Sequence, residues 1–78
     1  MAEVRFTIKG NSQETVFSPI RDGDEYFLYS SANGSDVKYK LLQDPETKVF
    51  KLEDHSVFEE PHDVISNRLL GLSEEWMD

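Results

Sequence analysis

Tyr26-Phe27-Leu28-Tyr29-Ser30-Ser31-Ala32-Asn33-Gly34-Ser35-Asp36-Val37-Lys38-Tyr39-Lys40-Leu41 is the stretch that decides the fold of this chain. Two runs rich in aromatic and aliphatic residues flank Asn33-Gly34. Both central residues of a type I′ turn need positive φ, which Asn and Gly tolerate best. A two-residue turn centred there sets Ser30 opposite Val37, Leu28 opposite Tyr39 and Tyr26 opposite Leu41. Successive side chains of a strand point to opposite faces, so these six share one side. Phe27, Tyr29, Lys38 and Lys40 share the other. The stretch reads as a hairpin.

The same parity extends in both directions. Asp44-Pro45-Glu46-Thr47 suits a four-residue loop built on a type I turn, with Pro supplying a fixed φ. Centred on Pro45-Glu46, it faces Leu41 with Phe50 and Tyr39 with Leu52. A turn at Asp22-Gly23 sets Phe17 opposite Leu28, and one at Gly10-Asn11 sets Val4 opposite Phe17 and Phe6 opposite Thr15. Residues 4–53 thus form a five-stranded antiparallel β-meander, curled or barrel-like. One face gathers Val4, Phe6, Ile8, Phe17, Tyr26, Leu28, Val37, Tyr39, Leu41, Phe50 and Leu52. A slip of one residue would turn every side chain to the wrong side, so agreement across four turns is strong evidence for this core. Burial of each large side chain contributes about 1.5–3 kcal/mol.

Beyond the strands the apolar period changes. Val64, Ile65, Leu69 and Leu72 recur at helical spacing, which predicts a helix over 61–70. Pro61 suits the first turn and Gly71 a C-terminal cap. Glu59, Glu60 and Asp63 lie at the positive end of the helix dipole, and Arg68 near the negative end. A helix of about ten residues is marginal alone in water, so it is expected to cover one open side of the sheet. The expected fold is α+β. A single domain, 1–78, carries the meander, the C-terminal helix and a short acidic tail, 73–78.

Charge is unevenly placed along the chain. Residues 1–52 carry eight acids against seven bases, whereas residues 53–78 carry eight acids against Arg68 alone. Most of the net −8 therefore sits in the last third, as an acidic arm on a nearly neutral body. Such a balance repels phosphate backbones and anionic lipid and favours basic partners. There is no cysteine, no secretory leader pattern after Met1, and no apolar run of the roughly 18 residues that a membrane span needs. The expected setting is the cytoplasm, without a membrane.

Chemical motifs are few. His55 and His62 each sit beside a carboxylate, Asp54 and Asp63, but their spacing matches no metal-ligand pattern; both read as solvated. Asp22-Gly23-Asp24 resembles the start of a calcium loop, yet Asn33 stands where that loop needs its glutamate. The four glycines are too dispersed for a phosphate-cradling loop, and no serine lies in a nucleophile-elbow context. The expectation is a protein without catalytic residues, cofactor or metal.

The reading that follows is a small protein-binding module, a regulator or inhibitor. Its acidic C-terminal segment (Glu59, Glu60, Glu74, Glu75, Trp76 and Asp78) engages a basic surface on another protein. Trp76 and Met77 among carboxylates, with Phe58 nearby, have the character of an interface anchor. Against that, Trp76 can fold back and plug one end of a small core. A first alternative uses the outer sheet face, where Phe27, Tyr29, Lys38 and Lys40 combine rings and ammoniums as single-stranded nucleic-acid binders do. A further reading joins the two halves: the acidic arm folds over this basic face or swings out to a partner. A second alternative is a structural subunit associating through an exposed edge strand.

Overall fold

The computed structural model describes residues 2–31 and 36–76. Five strands, β1 (Val4–Phe6), β2 (Thr15–Asp22), β3 (Glu25–Ser30), β4 (Val37–Gln43) and β5 (Phe50–Leu52), form one antiparallel sheet in sequence order. A short 3-10 turn, His55–Val57, leads to α1 (His62–Trp76). The sheet curls into a half-barrel. α1 packs across its open side, against β1 and β5, the two edge strands.

The central hairpin has the expected register, Tyr26 opposite Leu41, Leu28 opposite Tyr39 and Ser30 opposite Val37. Its Asn33-Gly34 turn lies outside the described residues. β1 and β2 also pair as expected, Val4 with Phe17 and Phe6 with Thr15. Their connection is not a two-residue hairpin at Gly10-Asn11. The Asn11 N–H donates to the Ile8 carbonyl across Lys9-Gly10, with Gly10 at φ 92°, and the chain then runs wide to Thr15.

Two registers differ from expectation by two residues. Leu28 lies opposite Pro19 rather than Phe17, because the turn is centred on Gly23-Asp24 with Gly23 at φ 65°. Positive φ at the first central residue alone is a type II′ turn, where Gly is favoured. Likewise Leu41 lies opposite Leu52 and Gln43 opposite Phe50. Here the loop takes four residues, Pro45 to Lys48. The Asp44 carboxylate accepts from the N–H groups of Glu46 and Thr47 at 2.8 and 3.1 Å, and Lys48 takes φ 66° to return the chain. A slip of two preserves parity, so no side chain changes face.

The core therefore matches the expected set. Val4, Phe6, Phe17, Leu28, Leu41, Phe50 and Leu52 are buried, and Ile8, Tyr26, Val37 and Tyr39 pack against them. From the other side come Phe58, Ile65, Leu69 and Leu72. Phe58 belongs to no arm. Its ring stacks on Phe6 at 4.5 Å and meets Phe17 and Tyr39 edge-on at 5.4 and 5.3 Å.

The helix does not stop at residue 70, and no separate tail begins at 73. α1 runs through Gly71 to Trp76. An interior Gly costs about 1 kcal/mol relative to Ala, but burial on both sides of it outweighs that. Leu72 and Ser73 are buried, and the Trp76 ring packs on Tyr26 and Phe50 at 5.3 and 5.1 Å. Trp76 plugs that end of the core, as Phe58 plugs the other.

Candidate functional site

Side chains that pack α1 on the sheet also cap the sheet's edges. Ser73 Oγ accepts from the Phe50 N–H of β5 at 2.9 Å and donates to the Leu69 carbonyl at 2.7 Å. On the β1 side, the Glu60 carboxylate accepts from the Thr7 N–H at 2.9 and 3.0 Å, and Arg68 Nη1 donates to the Arg5 carbonyl. Residues 57–59 continue this cover: the Lys9 N–H donates to the Val57 carbonyl and the Glu59 N–H to the Thr7 carbonyl. Strand edges capped at these groups have fewer free donors and acceptors to offer a further strand.

The acidic residues expected in one arm are consequently split between places and roles. The Glu60 side chain is only 11% exposed and lies 3.6 Å from Arg68, which also meets Glu14 at 3.2 Å. Burial pushes the Glu60 carboxyl up, but the N–H groups of Thr7 and Glu60 and the Arg68 charge outweigh it and hold the group below its ordinary value. Glu59 is exposed near Gly10 at the same end of the sheet, its carboxylate 3.4 Å from the Gly10 nitrogen. Glu74 and Glu75 are exposed at the far end of α1. Trp76 is committed to the core, and Asp78 lies outside the described residues.

What α1 turns away from the sheet is a narrower surface. A helix repeats every 3.6 residues, so Asp63, Asn67, Leu70 and Glu74 line up, with Ser66 and Gly71 beside them. All six are exposed, Leu70 at 43%. A Cβ built on Gly71 would have no neighbour within 4 Å, so nothing inside the molecule requires glycine there. A shallow depression of about 610 Å³ runs beside it towards β1, with Arg5, Arg68, Leu72 and Glu75 among its lining residues. Asp63, Leu70 and Gly71 were not among the expected binding residues. A helical wheel continued through Gly71 finds them.

The sheet's outer face brings Phe27, Tyr29, Lys38 and Lys40 together, in the rows Ile20–Phe27–Lys40 and Ser18–Tyr29–Lys38. Their polar groups have partners within the face. Lys38 Nζ lies 4.4 Å from the centre of the Phe27 ring, Lys40 is 3.5 Å from Glu25, and Tyr29 Oη donates to Asp36 at 3.2 Å. Outward positions of the strands and of the residues next to them carry four bases (Arg5, Lys38, Lys40, Lys51) and, with Glu14 turned to Arg68, five acids (Glu3, Asp22, Glu25, Asp36, Glu53), a balance of −1 within a chain of −8. α1 packs on the opposite side of the sheet, so its carboxylates do not fold over this face.

His62 is exposed as expected, but His55 is half-buried and the two rings meet. Their centres are 4.3 Å apart, edge to face, across the turn before α1. Burial, then the second imidazole, holds His55 below its ordinary value, while Asp54 acts the other way. Among the described residues no group of three His, Asp or Glu is placed to hold a metal ion. His55 predicts a pH dependence. A folded-state pKa below the unfolded value means that stability is complete above pH 6.5 and is lost as pH falls through the folded value. Glu60, with an ordinary value of 4.5, adds a second loss below that pH by the same sign. Urea midpoints measured against pH should fall in these two steps, and His55→Gln should remove the upper one. A midpoint that does not change between pH 7 and 5 would contradict the assignment.

Comparison with protein-family models, curated proteins and solved structures finds no match for this chain. Among the described residues no helix is long and apolar enough to cross a membrane.

Proposed function

We propose that this chain is a small protein-binding module, a regulator or inhibitor, whose acidic helix face docks on a basic surface of another protein. The observation that carries this is Leu70, 43% exposed on α1 with Asp63 and Glu74 on the same face. A lone apolar anchor ringed by charge is how interfaces combine a dry centre with a polar rim. The carboxylates steer a cationic partner at long range and Leu70 supplies the desolvated contact. Gly71 lets the partner's backbone come close, which gives a reason for glycine where internal packing provides none. A nucleic-acid-handling enzyme is one class of partner with such a surface, the carboxylates then standing where phosphates would. We place the protein in the cytoplasm, in keeping with its lack of cysteine.

The nucleic-acid alternative has less support. A face of balance −1 gains little from phosphate.

Capture from the native host on immobilised protein, followed by purification of the retained partner, supplies the test. Glu74→Lys with Glu75→Lys should weaken binding at least tenfold by calorimetry, Leu70→Ala should do likewise, and added salt should slow association. Glu59→Lys, off this face beside Gly10, should weaken binding less than the double reversal. Full affinity in the double reversal would refute the reading.

A further inference from the structure

We infer that the outer face of the sheet is a self-association surface, and that its occupant is a second copy of this chain. The centre of the face is apolar and aromatic: Ile20, Phe27 and Tyr29 lie in adjacent rows, flanked by Val16 and Leu42, which are 38% and 47% exposed. Ile20, Phe27 and Tyr29 are half-buried and Val16 and Leu42 exposed at either end of them, an apolar strip along one side of so small a molecule that suits a contact.

Charge decides what covers it. Two copies at −8 repel one another, and a mutual contact is tolerable only where the local charge is balanced and both signs are present. The outer face meets that condition with its four bases and five acids. The helix side, where Asp63, Glu74 and Glu75 are exposed, does not. A two-fold interface uses the same patch on both copies, so a patch must be complementary to itself. Interspersed lysines and carboxylates around rings allow this, whereas a polyanion would meet as many acids as bases. At the edges, Glu60, Arg68 and Ser73 already occupy the Thr7 N–H, the Arg5 carbonyl and the Phe50 N–H.

The curl of the sheet makes this face convex, so two copies meet along β2, β3 and β4 rather than over the whole surface. That places the contact at the lower end of the size range, and the dimer is weak and concentration-dependent. It also sets the two acidic helix faces on opposite outer sides, where both remain free.

Sedimentation equilibrium of the full chain over a concentration series tests this. The wild type should pass from monomer to dimer, and Leu42→Glu should remain monomeric at every concentration with an unchanged far-UV spectrum. Val16→Glu provides a second variant should Leu42→Glu fold poorly. Amide shifts on concentration should be confined to the outward residues of β2 to β4. A monomer throughout overturns the proposal, as does a dimer that survives both variants. So does salt-sensitive binding of oligothymidylate that is lost in Phe27→Ala and Tyr29→Ala, which would give the face to single-stranded nucleic acid.

Discussion

Phe58→Ala should leave this protein unfolded, or nearly so, at room temperature. A chain of 78 residues has roughly 4–12 kcal/mol of stability in total. Truncating a fully buried Phe costs about 3–5 kcal/mol, and more where the site cannot collapse. Phe58 is such a site. It is 2% exposed and touches Phe6, Phe17 and Tyr39, which come from three different strands. Its backbone neighbours also pair with residues 7–9, so the loss would free the cover of β1 as well. Urea titration followed by circular dichroism should show the midpoint of Phe58→Ala near zero denaturant. Phe58→Leu, which keeps most of the volume, should retain a cooperative transition. A wild-type-like midpoint for the alanine variant would mean that residues 53–60 are an appendage after all.

Truncation after Leu72 should have an effect of similar size. An acidic tail could be removed without consequence, but here the cut takes away the last turn of α1. Loss of Ser73 removes the hydrogen bond to the Phe50 N–H, at about 1 kcal/mol. Loss of Trp76 uncovers Tyr26 and Phe50, at about 3 kcal/mol for a large aromatic that is partly buried. Together these approach the whole stability of the domain. The truncated chain should lack a cooperative thermal transition, and Trp76→Ala alone should lower the melting temperature by more than 10 °C on the usual scaling for this size. A truncated protein that melts like the parent would restore the tail.

The parts of the fold that were legible depend on parity; the parts that were not depend on length. The alternation of Leu28, Tyr39 and Leu41 is enough to set the register of the central hairpin, whose turn lies outside the described residues. Face assignment survived even where pairing slipped, since both slips were by two residues. The slips have local causes. Gly23 serves as the first central residue of its turn rather than the second, and Lys48 takes a left-handed conformation that its residue type does not advertise. Gly71 was the misleading signal. Read as punctuation it ends the helix at 70, yet Leu72, Ser73 and Trp76 continue the buried stripe of Ile65 and Leu69. Tertiary burial overrode the local preference, and with it went the idea of a free acidic arm.

Edge capping has a consequence for how this protein fails. One helix guards both borders of the sheet, through Arg68 near β1 and Ser73 at β5. If α1 detaches while the strands remain paired, both borders lose these caps together, and Leu41, Leu52 and Phe50 come into contact with water. That half-open species is suited to adding strands from other molecules at β5, since residues 57–60 still cover the β1 side, so fibril growth should begin from helix release rather than from global unfolding.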